Sequence, residues 1–276
     1  MITVTGATGE LGRLVIDGLL AQVPADQITA VVRDPGKATG LAARGVTIRR
    51  ADYDEPDSLR SALAGTDRLL MISTNNPARS LEQHTAVVQA AQRADVGLLV
   101  FTSVLAAAPP RLAEPVIQAS GLPFTLLRNA QYLEHYFPQI KQALASGVLV
   151  GSAGDGRTAP ATHADLAAAA VAVLTGQGHE NEVYTLTGDT AWRLSELAAE
   201  VSAASGKQIS YRNVSSGEHL ELLIAAGVPR AYADVFVATY AAVAAGAFAT
   251  ATTDLRDLIG HPTTTLAESV ATVVNS

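Results

Sequence analysis

The chain has 276 residues, 48% hydrophobic and 16% charged, so it must collapse around a large core and is neither disordered nor fibrous. A formal net charge of −7 argues against a nucleic-acid binder with a basic surface, and the lack of cysteine removes disulfides, cysteine–zinc sites, iron–sulfur clusters and thiol nucleophiles. No apolar run reaches the roughly 18 residues of a membrane span, and Met1 leads directly into Ile2-Thr3-Val4-Thr5 without a signal-like segment. A soluble, cytoplasmic protein is expected, with one large domain or two unequal ones.

In chain order, strands are predicted at Ile2–Thr5, Ile28–Arg33, Val46–Ala51, Arg68–Ser73, Gly97–Ser103 and Phe124–Arg128. Helical patterns fill the gaps at Leu11–Leu20, Pro35–Arg44, Pro56–Ala64 and Leu81–Ala94, with a short one around Leu112–Ala119. Strand–helix alternation with few tight hairpins predicts an α/β fold, a Rossmann-like doubly wound parallel sheet. After residue 130 the rhythm changes. Ala130–Ala145 is read as helical with Tyr132 and Tyr136 on one face, and 151–156 as a turn-rich loop. Thr162-His163-Ala164-Asp165 has the form of a helix start, and Glu182–Thr187 is a strand that can rejoin the sheet. From Trp192 the chain is mostly helical, including packed alanine-rich stretches at 166–172 and 241–249 and a capping box at Thr265–Glu268. The expected division is a nucleotide-binding domain of 1–130 plus 161–187 and a smaller, mainly helical lobe of 131–160 plus 188–276.

The strongest chemical signal is Thr5-Gly6-Ala7-Thr8-Gly9-Glu10-Leu11-Gly12, between the first strand and the first helix. A dinucleotide pyrophosphate needs a tight turn at Gly6, close backbone approach at Gly9 and close helix packing at Gly12. The helix N-terminus adds free N–H groups and partial positive charge. At the end of the second strand, Arg33 stands where an NADP site offers a cation to the 2′-phosphate, and Lys37 lies one turn beyond. Asp34 should point away from Arg33. NADPH is therefore favoured over NADH.

Other chemistries find no support. The six histidines have no metal-ligand spacing, and there is no G-x-S-x-G elbow. His84 and His219 read as surface or boundary residues. The Tyr-x-x-x-Lys pair of ordinary short-chain dehydrogenases is missing, because none of Lys37, Lys141 and Lys207 follows a tyrosine by four residues.

Thr5–Gly12, Val32-Arg33-Asp34-Pro35, Ala51-Asp52-Tyr53, Phe101-Thr102-Ser103, Thr125–Asn129, Gly154-Asp155-Gly156, Val183-Tyr184 and Leu258–Leu266 occur in that order. Together they resemble the NmrA-like, atypical short-chain dehydrogenase group, in particular its bacterial NAD(P)H:quinone oxidoreductases and the related triphenylmethane-dye reductases. The resemblance runs nearly end to end. It implies a Rossmann domain with a smaller helical lobe, NADPH as cofactor, and a quinone or similar conjugated acceptor held between the lobes over the nicotinamide. Its cofactor positions are Gly6, Ala7, Thr8, Gly9, Glu10 and Leu11 for the pyrophosphate and Arg33 with Lys37 for the 2′-phosphate. Tyr53, then Ser73, Thr74 and Asn75 after the fourth strand, and Asn129, Ala130, Gln131, Tyr132, Leu133 and Glu134 complete the set. Ser103, Asn129 and Tyr132 are the residues expected to orient the acceptor. A homodimer stays open.

The chain departs from its relatives between Ser103 and Gly121, where it is about eight residues short and Pro115 should cut any long helix. A second reading, a noncatalytic NADP(H) redox sensor, shares the same fold and cofactor site.

Overall fold

The computed structural model describes residues 1–74, 76, 78–105 and 112–276. The chain runs β1 (Ile2–Thr5), α1 (Glu10–Leu20), β2 (Ile28–Val32), α2 (Thr39–Ala42), β3 (Thr47–Arg50), α3 (Pro56–Ala62), β4 (Arg68–Met71), α4 (Ser80–Arg93), β5 (Leu98–Val104), α5 (Glu114–Gln118) and β6 (Phe124–Asn129). It continues with α6 (Phe137–Ser146), β7 (Val148–Gly151), β8 (Arg157–Thr158), α7 (His163–Thr175), β9 (Glu182–Leu186), β10 (Trp192–Arg193), α8 (Leu194–Ser205) and β11 (Ser210–Asn213). Four helices close it: α9 (Ser216–Ala225), α10 (Arg230–Ala244), α11 (Asp254–Ile259) and α12 (Leu266–Val274).

Two compact units result. The first comprises Met1–Asn129, His163–Leu186 and Asp257–His261. Its seven strands lie in the order β3-β2-β1-β4-β5-β6-β9, all parallel. Every strand therefore ends at the same edge, and the order reverses beside β1, where a doubly wound sheet opens its ligand crevice. Strands buried on both faces have nearly continuous apolar sequences, and Leu69, Met71, Leu99, Phe101 and Leu126 are fully buried against Leu59, Val87 and Ile117 of the helices. Helices α1 and α7 come so close that a Cβ on Gly18 would stand 2.9 Å from Val171 Cγ2, a contact that the alanines of α7 also permit. Leu258 and Ile259 line a groove with Leu14 of α1 and Ala164 and Ala167 of α7, which is why 257–261 groups with this unit.

The second unit comprises Ala130–Thr162, Thr187–Arg256 and Pro262–Ser276. Two small sheets, β7 with β11 and β8 with β10, support its helices. Tyr136, Ile140, Leu149, Trp192, Leu197, Tyr240 and Val270 form its core. The predicted capping box on α12 is present, with Thr265 and Glu268 bonding reciprocally.

Several local expectations are corrected. Pro35–Arg44 is not one helix but a 3-10 turn, Pro35–Ala38, followed by the four-residue α2. Asp34 accepts from the Gly36 N–H, and two glycines, Gly36 and Gly40, weaken the helix that the apolar spacing suggested. Residues 130–131 are not helical, Tyr132 is extended, Leu133–Tyr136 form a 3-10 turn, and α6 begins only at Phe137. Pro138 lies in the first turn of α6, where its missing N–H is tolerated, and without that N–H it cannot bond to the Glu134 carbonyl, so the α-helix does not extend further back. Tyr132 and Tyr136 therefore do not share a helix face. In α5, Pro115 opens the helix rather than cutting it. Of the alanine-rich 241–249, only the part up to Ala244 is helical, and Gly246 turns the chain at φ +83°. His84 and His219 are buried, at 0% and 3% exposure, not superficial.

Candidate cofactor-binding site

The β1–α1 turn is built from backbone. Gly6 takes φ +62°, a conformation that costs glycine little. The Gly9 N–H closes the turn on the Gly6 carbonyl at 3.0 Å, and α1 starts at the next residue without any side-chain cap. Its first-turn N–H groups are thus left for a ligand. A Cβ on Gly12 would lie 2.4 Å from the Gly6 oxygen and 2.8 Å from Ala7 Cα, whereas one on Gly9 would meet only the Gly6 oxygen at 3.3 Å. Gly12 lets the helix seat on the turn. Gly9 keeps the outer surface of the turn thin. Glu10, in the first helical turn, extends its carboxylate to within 3.8 Å of His163 Nε2.

Beneath this turn, the Tyr53 phenol donates to the Ile72 carbonyl at 2.9 Å and shares a 2.5 Å hydrogen bond with Thr5 Oγ1. Thr5 Oγ1 also accepts from the Ile72 N–H at 3.1 Å. Burial raises the Tyr53 phenol above its ordinary pKa, so it stays protonated. Tyr53 thus braces the ends of β1 and β4 with its polar atom. Arg33, just past β2, is exposed and has no ion pair among the described residues; Lys37 is exposed in the following turn. The Asp34 carboxylate is engaged by the Gly36 N–H at 2.9 Å.

At the ends of β4, β5 and β6 the construction changes to side chains. The Ser73 N–H donates to Thr102 Oγ1 at 2.9 Å, and the Thr74 N–H to His84 Nε2 at 3.1 Å. Asn75 lies outside the described residues. His84 packs edge-on against Phe101, and burial lowers its pKa from 6.5 to about 4, so it is the neutral imidazole that accepts. Ser103 Oγ donates to Glu114 Oε1 at 2.5 Å, and Arg128 grips the same carboxylate through Nε at 3.1 Å and Nη2 at 2.7 Å. Glu114 is only 5% exposed, and its hydrogen bonds raise the Arg128 pKa above the usual value. Asn129, next along β6, holds its carbonyl on the Leu105 N–H at 2.9 Å, while its buried Oδ1 has no partner among the described residues.

Ala130–Glu134 begin the second unit. The Leu133 N–H donates to the Ala161 carbonyl at 2.9 Å. Gln131 Oε1 accepts from the Thr158 hydroxyl at 2.7 Å and from Tyr136 at 3.2 Å, so both Gln131 and Tyr136 serve that unit's interior. Tyr132 is half-buried, edge-on to His135. The bracing roles of Thr102, His84 and Glu114 had no signal in the sequence beyond the Phe101-Thr102-Ser103 motif, since each gains its partner only through tertiary packing. No group of side chains suited to a metal occurs among the described residues.

The bare α1 N-terminus, the space kept by Gly9 and the orphaned Asn129 oxygen all fit a dinucleotide. A family model described as NAD(P)H-binding matches residues 6–177. The chain belongs to the NAD(P)H-binding family. Within this family, quinone oxidoreductase 2 of Escherichia coli K12 is 45% identical over 283 residues, covering 100% of this chain and 99% of that protein. The E. coli NADPH-dependent quinone oxidoreductase solved with NADPH superposes with a TM-score of 0.96 at 44% identity, covering 99% of each chain. Citrobacter sp. triphenylmethane reductase solved with NADP(H) also gives 0.96, at 39% identity, covering 99% of this chain and 100% of that one. The Rossmann-like fold expected from the sequence is the fold observed.

Proposed function

We propose that this chain is an NADPH-dependent reductase that passes a hydride to quinones or related conjugated, electron-poor acceptors. The observation that carries this reading is end-to-end similarity to a quinone oxidoreductase, together with an intact dinucleotide turn. Bound NADPH supplies the hydride. The chain's own groups bind and orient. First-turn N–H groups of α1 take the pyrophosphate, Arg33 with Lys37 takes the 2′-phosphate, and Asn129 Oδ1 takes a donor from the nicotinamide carboxamide. Tyr132, three residues further along, is assigned to meet the acceptor ring. Ser103 leaves the set of orienting donors, because its single proton goes to Glu114.

The chemistry suits a site without an evident acid. Hydride addition to an isolated ketone builds alkoxide charge that needs a donor in the transition state. A quinone spreads that charge over a conjugated ring, and water can protonate the weakly basic product. The test is NADPH oxidation with a panel of small quinones and one unconjugated ketone, expected to proceed only with the quinones. Tight NADPH binding without turnover of any quinone would favour the sensor. Arg33→Ala should weaken NADPH about 10-fold or more, the scale of one charge-assisted hydrogen bond, and leave NADH unchanged. Equal losses would remove Arg33 from this role.

A further inference from the structure

The Ser103–Glu114–Arg128 cluster has no task in the reaction described above, yet its construction is costly. The Glu114 carboxylate is taken out of water while Arg128 stays partly exposed, and a pair with a buried ion gains little net stability over well-packed apolar side chains, so it is better explained by the geometry it fixes. Here it ties three elements together: Ser103 from β5, Arg128 from β6 and Glu114 from the start of α5. Ser103 and Arg128 are register partners, and the next rung pairs Val104 with Asn129. The cluster thus clamps the last rungs of the β5–β6 ladder from one face. Because side chains alternate along a strand, Asn129 projects from the other face, where its Oδ1 is buried and has no partner among the described residues.

We propose that Glu114 is a positioning residue: by holding Ser103 and Arg128 it fixes the end of β6 so that the Asn129 carboxamide oxygen stands ready for an amide N–H donor, the carboxamide of the nicotinamide ring. The proposal rests on the cofactor reading above. An acceptor held at a fixed position loses no freedom on binding, whereas without Glu114 the end of β6 keeps only its backbone ladders to β5 and β9.

The experiment compares two ligands that differ only at the nicotinamide end, NADPH and 2′-phospho-ADP-ribose, in binding titrations with the full chain. Glu114→Gln should weaken NADPH about tenfold and leave 2′-phospho-ADP-ribose within about twofold. In an Asn129→Ala background the same substitution should change NADPH affinity by less than about twofold, because the group it positions is gone. A paired Glu114→Leu, Arg128→Met variant replaces the ions by apolar side chains, guarding against misfolding, and should show the same NADPH-selective loss. Equal losses for both ligands, an unchanged NADPH affinity, or full additivity with Asn129→Ala would overturn the assignment of Glu114. A folded wild-type chain that binds neither ligand would overturn the cofactor reading and this assignment together.

Discussion

Two stretches of the same sheet edge are made from different materials. At the β1–α1 turn the groups we propose for the cofactor are backbone N–H groups, and glycines supply the conformation and the space. At the β4–β6 ends the supports are side chains: Thr102 and His84 accept from the Ser73 and Thr74 N–H groups, and Glu114 binds Ser103 and Arg128. A phosphate is large, charged and met by many weak donors, so a generic turn with three glycines suffices. An amide-bearing ring needs one acceptor in one place, and that requires packed, hydrogen-bonded supports around it.

The sharpest way to break this contrast is within the glycine turn. Gly12→Ala places a methyl against backbone that cannot yield cheaply, and should cost about 3 kcal/mol of stability in a urea titration. Gly9→Val meets far less protein and should leave the fold intact while abolishing NADPH binding. Comparable stability losses for the two variants would mean that both glycines serve packing alone.

The next effect concerns the side-chain-built stretch. His84 is neutral in the fold down to about pH 4 but titrates near 6.5 when unfolded. Its contribution is fully present above pH 6.5 and is lost as pH falls towards 4, because the unfolded chain binds the proton first. That amounts to about 2–3 kcal/mol. His84→Gln, which still offers an acceptor to the Thr74 N–H, should flatten the fall of urea midpoints between pH 7 and 4.5. Parallel curves would acquit His84.

The smallest effect tests Tyr53, whose phenol ties the strand end before the glycine turn to β4. Tyr53→Phe removes the bonds to Thr5 and Ile72 and should cost about 1 kcal/mol of stability, with only a mild loss of NADPH affinity. A large loss of affinity with unchanged stability would show the phenol meeting the cofactor directly.

The sequence by itself determined the alternating strands, their burial and the glycine turn, since each follows from local periodicity or from a residue whose backbone freedom is needed where it stands. Arg33 at the end of β2 belongs to the same class, because strand position alone places it. What the tertiary structure decided is every role that depends on a partner remote in the chain. Ser103 reads as an orienting hydroxyl until Glu114, eleven residues on, takes its proton. His84 reads as a surface or boundary residue until α4 packs it against Phe101 and the Thr74 N–H. Tyr132 and Tyr136 share a predicted helix face until Pro138 delays α6. A side chain's hydrogen-bond partners and burial are set by which elements the fold brings together, and that information is not carried by spacing along the chain.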